Sequence, residues 1–167
     1  MSGTCIDAKL IEAASAAAKI LRARRFTVVT AESCTAGLIA AALSQVEDAS
    51  EVLHGSFVVY TKENKAKALG VDRKILSENS AVCAEVAEQL ACGALERSPA
   101  DISLAVTGVL GPDPDEDGNP VGLVYFAVCS RGAKPIVTKK NYEKDDPDRL
   151  RHKVTLDGLE RLSGVAR

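Results

Sequence analysis

FTVVTAESCTAG, residues 26–37, is the stretch that decides the fold. Its first five residues are β-branched or aromatic and predict a short buried strand, Phe26 to Thr30. The small polar residues after it predict a turn, and apolar residues at helical spacing then predict a helix over about Cys34 to Val46. A buried strand that leads through a short turn into a helix is typical of an α/β protein.

Strands and helices alternate along the rest of the chain. Helices are predicted over about residues 6–24, from Thr61, and over about 83–97 and 147–162; strands are predicted over 52–60, 102–107, 121–129 and 136–141. This alternation predicts one α/β domain over residues 1–167, a three-layer α/β/α fold with a mixed, mostly parallel sheet of about five strands. The run of three strands near the end suggests one antiparallel member.

Composition narrows the class of function. With 21 basic and 23 acidic side chains the formal charge is -2, which offers no field to attract nucleic acid. No apolar run is long enough for a membrane span, and no basic leader opens the chain. Five cysteines without metal-type spacing are typical of buried thiols in a reducing compartment. We therefore expect a soluble cytoplasmic protein without a metal site.

The turn after the first predicted strand is the first candidate for chemistry. Unpaired backbone N–H groups at a helix start bind anions or a developing oxyanion, and Ser33 would lie beside them. Ser33 could equally be a simple helix cap, which is a common role for serine. The turn alone leaves both readings open.

Lys65 is the second candidate. Tyr60 to Lys65 (YTKENK) follows the second predicted strand, and in a parallel sheet both turns would lie at the same carboxyl edge. A buried lysine with a lowered pKa can take the proton of a serine hydroxyl. The alternative is a solvated lysine, since Lys62, Lys65 and Lys67 crowd one short helix. Neither histidine, His54 or His152, lies in a motif that suggests a Ser-His-Asp triad.

The third candidate is the segment AVTGVLGP, Ala105 to Pro112, where a strand enters a glycine-containing loop. Its glycines could let the backbone approach a ligand, or they could serve only the turn. The loop continues as DPDED, residues 113–117, which is similar to the opening of a calcium-binding loop. Val124 stands where that loop needs a bidentate Glu, so calcium is rejected and an acidic solvated loop is expected.

Taken together, the three segments resemble the C-terminal domain of CinA-type competence/damage-inducible proteins, the nicotinamide-nucleotide amidase family. The family motif A-E-S-C-T-G-G matches Ala31 to Gly37 with Ala36 for one glycine; Y-[ST]-N-x-x-K matches Tyr60 to Lys65; and A-V-T-G-x-x-G-P matches Ala105 to Pro112. The likeness extends over roughly residues 8–163. It implies a homodimer or larger homo-oligomer that acts on a small pyridine nucleotide without a cofactor.

The resemblance also implies a reaction and its residues. The carboxamide of nicotinamide mononucleotide would be hydrolysed to the acid and ammonia, with Ser33 as nucleophile, Lys65 as general base and Tyr60 assisting them. N–H groups near Cys34 and Thr35 would hold the oxyanion. The positions expected to bind the substrate are Glu32, Cys34, Thr35, Gly37, Thr107, Gly108 and Gly111. The family's arginine before the last helix is missing in register, and Arg149 or Arg151 could contact the phosphate in its place.

Three departures from the family pattern motivate alternatives. Lys62 stands where the family has Asn, the loop after Gly111-Pro112 is acidic, and Asp145-Asp146-Pro147 replaces the family's G-D-R. A chain with these changes could be a nucleotide-binding or regulatory module that has lost catalysis. A further alternative makes Cys34 the nucleophile, because a helix start lowers the pKa of a thiol.

Overall fold

Helices cover both faces of a five-stranded sheet in the computed structural model, which describes residues 6–164. The elements, in chain order, are α1 (Ala8–Ala23), β1 (Val28–Glu32), α2 (Leu38–Leu43), a short 3-10 helix (Ala49–Glu51), β2 (Leu53–Val58), α3 (Lys62–Leu69), α4 (Arg73–Glu78), α5 (Ala84–Glu96), β3 (Ile102–Gly108), β4 (Leu123–Ser130), β5 (Ile136–Asn141) and α6 (Pro147–Gly164). Expectations for residues 1–5, including Cys5, lie outside the described residues.

The sheet has the order β2-β1-β3-β4-β5. β1 pairs in parallel with β2 on one side and with β3 on the other. β4 pairs antiparallel with both β3 and β5, so four strands point one way and β4 alone points the other. The predicted fold class, a mixed and mostly parallel sheet with one antiparallel member, is confirmed.

Two apolar cores lie on opposite faces of the sheet. One joins α1, α2 and α6 to the sheet and is represented by Leu10, Ile39, Leu150, Leu104 and Phe126. The other joins α3, α4 and α5 to the sheet and includes Leu69, Leu76, Leu90, Val29 and Ala105. In the central strands β1, β3 and β4, residues that point to one face enter one core and residues that point to the other face enter the other core, because successive side chains of a strand point to opposite faces. The three-layer arrangement follows from this alternation.

Gly93 brings α3 close to α5. A Cβ atom built at Gly93 would lie 2.1 Å from the carbonyl oxygen of Leu69, so only glycine permits this approach. α3 also begins with a good cap, since the hydroxyl of Thr61 accepts a hydrogen bond from the backbone N–H of Asn64 at 3.1 Å. These contacts fix the helix that carries Lys65.

The start of α2 differs from its prediction at Cys34. Residues 34–37 form a turn in which Ala36 and Gly37 both have positive φ, 53° and 94°, and the helix begins at Leu38. β1 correspondingly runs to Glu32 rather than ending at Thr30. Two consecutive left-handed residues cannot belong to a right-handed helix, so α2 begins only after them.

α4 was not predicted. It is only six residues long and begins after Asp72, whose carboxylate accepts the backbone N–H of Lys74 at 2.8 Å. Among residues 6–164, no helix is both long enough and apolar enough to cross a bilayer.

Candidate active site

The three segments singled out in the sequence meet at the carboxyl edge of β1, β2 and β3. They line a cavity of about 590 Å³, into which α6 and the acidic loop also contribute side chains. The polar and charged side chains that line it include Ser33, Tyr60, Lys62, Lys65, Thr107 and Arg151. A crevice at this edge is where open α/β sheets place their ligands.

Ser33 and Lys65 lie in direct contact. The Nζ atom of Lys65 is 2.8 Å from the Oγ atom of Ser33 and 2.8 Å from the carbonyl oxygen of Tyr60. Both side chains are buried, with Ser33 5% and Lys65 2% exposed. The sequence left open whether Lys65 is solvated, and the structure places it beneath the surface with its amine on the serine.

Burial sets the chemistry of this lysine. Desolvation lowers the pKa of Lys65 from 10.5 to about 8, and the positive charge of Lys62 acts in the same direction. A negative charge on Cys34 would act against them, but Cys34 holds its proton in this range. A lysine with such a pKa is partly neutral near physiological pH. Its free amine can then accept the proton of the Ser33 hydroxyl.

Cys34 lines the cavity but has the wrong ionisation for a nucleophile. Burial raises the pKa of its thiol to about 12. The expected helix start at Cys34 is absent, because α2 begins at Leu38, and the lowering of the thiol pKa that motivated this alternative therefore disappears. Cys34 packs instead as a small apolar residue of the α1, α2 and α6 core.

Glu32 lies beneath the turn rather than in the cavity. Its fully buried carboxylate accepts hydrogen bonds from the hydroxyls of Thr30 (2.9 Å) and Thr35 (2.7 Å). It also accepts the backbone N–H groups of Ile39 (3.0 Å) and Ala40 (2.9 Å), which open α2. The helix start expected to bind an anion of the substrate is thus already occupied by a carboxylate of the chain itself.

Thr35 and Gly37 do not line the cavity either. The Thr35 hydroxyl is engaged by Glu32, and Gly37 supplies the left-handed residue before α2. A Cβ atom at Gly37 would lie 3.3 Å from Val58, on the neighbouring strand β2. Both residues therefore support the turn, and only its Ser33 and Cys34 face the cavity.

The third segment reaches the cavity with Thr107, Gly108 and Gly111. Thr107 is fully buried, and its hydroxyl donates to the carbonyl oxygen of Ala81 at 2.9 Å. Gly108 is required by packing, since a Cβ atom there would lie 2.8 Å from the carbonyl oxygen of Leu123 on β4. Gly111 has a φ of 93°, which favours glycine, and a cis peptide bond joins it to Pro112.

The two candidate arginines separate in the structure. Arg151 lines the cavity, and its guanidinium donates to the exposed carboxylate of Asp148 at 2.7 Å. Arg149 does not line the cavity, and its side chain is 76% exposed beside Asp145. Of the two, only Arg151 is placed to meet a ligand.

The acidic loop, which was expected to be only solvated, also faces the cavity. Four of its carboxylates line the wall: Asp113, Asp115, Glu116 and Asp117. Lys62 pairs with two of them, at 2.6 Å from Asp117 and 3.1 Å from Glu116. Two of the three departures from the family pattern thus meet as an ion pair.

Ala81 and Val82, in the connection between α4 and α5, were missed as cavity residues. Their sequence has no catalytic residue type, and their position depends on the unpredicted α4. Within residues 6–164, no three His, Cys, Asp or Glu side chains converge as a metal-ligand cluster.

Known proteins resemble this chain along nearly its whole length. The family model described as the CinA C-terminal domain matches residues 10–166. The nicotinamide-nucleotide amidohydrolase PncC of Escherichia coli K12 is 33% identical over 156 residues, covering 93% of this chain and 94% of that protein. A putative competence-damage inducible protein of Caldicellulosiruptor bescii is 41% identical over 126 residues, and the match covers 75% of this chain but 30% of that longer protein.

A solved structure shows the same fold. The crystal structure of the competence/damage inducible protein CihA from Agrobacterium tumefaciens has a TM-score of 0.91 and 34% identity, covering 97% of this chain and 98% of that one. The match to the family model, the fold shared with the solved structure and the position of the three motifs at one cavity all agree. The chain therefore belongs to the CinA C-terminal domain family.

Proposed function

We propose that this protein hydrolyses the carboxamide of nicotinamide mononucleotide to nicotinate mononucleotide and ammonia. The observation that carries the proposal is the 2.8 Å contact between the Lys65 amine and the Ser33 hydroxyl, buried at the wall of a cavity. A relative that spans nearly the whole chain is named a nicotinamide-nucleotide amidohydrolase, which supports the choice of substrate.

In the proposed first half-reaction, neutral Lys65 takes the proton of the Ser33 hydroxyl as the Oγ atom attacks the amide carbon. The carbonyl oxygen of the substrate becomes an oxyanion, which the backbone N–H group of Cys34, the residue of the turn that lines the cavity beside Ser33, would stabilise. Lys65 then gives its proton to the amide nitrogen, the C–N bond breaks, and ammonia leaves an ester on Ser33.

Water completes the reaction. Lys65, neutral again, takes a proton from a water molecule that attacks the ester, and returns it to Ser33 as the C–O bond breaks. The net reaction consumes one water molecule and needs no cofactor. Arg151, the arginine that lines the cavity, is the proposed contact for the substrate phosphate.

Ammonia release from nicotinamide mononucleotide by the purified protein tests this proposal. We expect Ser33→Ala to lower kcat/KM by about three orders of magnitude or more, because the attacking atom is lost. The matched control is Ser44→Ala, which removes an exposed serine at the far end of α2 and should leave the rate unchanged. Full activity of Ser33→Ala would exclude Ser33 as the nucleophile.

The acidic loop favours a second candidate, a nucleotide-binding or regulatory module without catalysis. Its four carboxylates line the same cavity and would repel a substrate phosphate. Calorimetry that shows binding of the nucleotide without formation of an acid product would support this reading, and turnover would exclude it.

The homo-oligomer and the cytoplasmic location expected from the sequence stay predictions. Sedimentation velocity of the purified protein checks the oligomeric state.

A further inference from the structure

Lys62 links the acidic loop, residues 113–119, to the helix that carries Lys65. Its Nζ atom lies 2.6 Å from Oδ1 of Asp117 and 3.1 Å from Oε1 of Glu116. We propose that Lys62 is a positioning residue that clamps the acidic loop onto the cavity wall and so holds the Ser33–Lys65 pair in its working environment. The effect of Lys62 on kinetics rests on the proposed amide hydrolysis. The clamp itself rests only on the contacts of Lys62 with the loop.

The clamp reaches across three walls of the cavity. The second oxygen of Asp117, Oδ2, accepts the backbone N–H of Ala81 at 3.2 Å. The carbonyl oxygen of Ala81 in turn accepts the hydroxyl of Thr107, at the end of β3. A continuous series of polar contacts thus runs from α3 through the loop to the strand beside Ser33.

The loop is preorganised for this contact. The Oδ1 atom of Asp115 accepts the backbone N–H groups of Asp117 (3.1 Å) and Asn119 (2.8 Å), which folds the loop on itself. The side-chain amide of Asn119 donates to the hydroxyl of Ser80 at 2.6 Å. The hydrogen bond between Asn119 and Ser80 therefore holds one end of the loop in place. The ion pair between Lys62 and Asp117 holds the loop on the side of α3.

The position of Lys62 in its helix also points to this role. It is the first residue of α3, where a positive charge opposes the helix dipole. Its hydrogen bond to Asp117, supported by the one to Glu116, raises the pKa of Lys62, so the side chain stays charged. Pairing with the loop offsets the unfavourable placement of the charge.

Ionisable groups from each surrounding element decide how the clamp affects Lys65. They are Cys34 after β1, Tyr60 after β2, Lys62 and Glu63 on α3, Arg151 on α6, and Asp113, Asp115, Glu116 and Asp117 of the loop. The positive charge of Lys62 lowers the pKa of Lys65, and its pairing neutralises two of the loop carboxylates. Removing Lys62 takes away a cation and leaves two anions unpaired, and both changes stabilise protonated Lys65.

The kinetic test compares Lys62→Met with Lys67→Met, which removes an exposed charge from the same helix. In Lys62→Met we expect the acid limb of the pH profile of kcat/KM to move up by about half a pH unit or more, since Lys65 must lose a proton to act. Lys67→Met should keep the wild-type profile, and Lys62→Arg, which preserves the charge, should restore most of it. Equal profiles for the two methionine variants would overturn the proposed link to Lys65.

Hydrogen exchange tests the clamp without reference to activity. The amide of Ala81 donates directly to Asp117, so we expect it to exchange at least about tenfold faster in Lys62→Met than in wild type or Lys67→Met. Unchanged exchange at Ala81 would overturn the clamp, even in a fully active enzyme. Faster exchange in a protein that hydrolyses no amide would uphold the clamp and reject the proposed function, so the two failures are distinguishable.

Discussion

The amine of Lys65 lies 2.8 Å from the hydroxyl of Ser33, although 32 positions separate the two residues in the chain. The parallel pairing of β1 with β2 brings about this approach, since it places the turn after β1 and the helix after β2 at one edge of the sheet. Because the two side chains share a buried site, the proposed mechanism makes the reactivity of the hydroxyl depend on the protonation of the amine.

The pH dependence of turnover follows from the lowered pKa of Lys65. We expect kcat/KM for amide hydrolysis to rise with pH and to level off above a midpoint near about 8, as the amine becomes neutral. Initial rates of ammonia release across the pH range, in buffers of constant ionic strength, measure this midpoint. A midpoint near 10.5, the ordinary value of lysine, would show that burial does not tune this base.

Lys65→Met should abolish activity and stabilise the fold. Burial lowers the pKa of Lys65 from 10.5 to about 8, so the unfolded chain holds the proton more tightly. The destabilisation is therefore complete below about pH 8 and is relieved as pH rises toward 10.5. After allowing for the lost hydrogen bonds, we expect a gain of about 1–3 kcal/mol in the free energy of unfolding at neutral pH.

Urea denaturation at neutral pH and at a pH near 10.5 measures this gain in the free energy of unfolding. The difference between Lys65→Met and wild type should shrink as the pH rises. Lys67→Met, a change at an exposed site on α3, is the control and should show no such trend. A gain that stays constant with pH would mean that charge burial is not its cause.

Tyr60→Phe should remain active. The contact that Tyr60 makes with Lys65 comes from its backbone carbonyl, while its side chain is 71% exposed. Since the substitution keeps the carbonyl and the ring, we expect kcat to stay within about threefold of wild type. Steady-state kinetics check this, and a loss of two orders of magnitude would restore the assisting role that the family resemblance implies for the hydroxyl.

Glu32→Gln should weaken the fold. An amide offers one acceptor oxygen where the carboxylate offers two, and its NH2 group would face N–H or hydroxyl donors that now lack a partner. We expect a loss on the order of 3 kcal/mol in the free energy of unfolding, measured by urea denaturation. Glu47→Gln, at an exposed site, is the control. A stable variant with a raised KM would instead make Glu32 a substrate contact.

The sequence predicted the architecture well because the decisive signals are local. Runs of β-branched residues such as Val28 and Val29, and the apolar spacing of α1 and α5, specify strands and helices without knowledge of the rest of the chain. Ser33 and Lys65 could be placed near one another because parallel strands share an edge. The family motifs then favoured a catalytic role over a helix cap for Ser33 and over a solvated side chain for Lys65.

The sequence pattern does not show contacts that only the folded backbone brings together. Glu32 looks like a polar residue of a turn, and its burial depends on donors supplied by Thr35, Ile39 and Ala40. The predicted start of α2 lies too early in the chain, because the sequence does not show that a small residue such as Ala36 has a left-handed backbone. The contact between Lys62 and Asp117 joins residues 55 positions apart, and each alone looked like an ordinary surface charge.

Glu32 anchors the turn that carries Ser33 from inside the protein, and this affects how relatives of this chain can diverge. The support of Ser33 lies on the side away from the ligand, whereas residues 113–119 and Lys62 form a replaceable outer wall. Exchange of that wall can therefore change which amide is accepted, together with the pH profile that Lys62 influences, while the turn that carries Ser33 keeps its internal support. Loop grafts between relatives that retain Lys62 and Asp117 become a practical route to new selectivity.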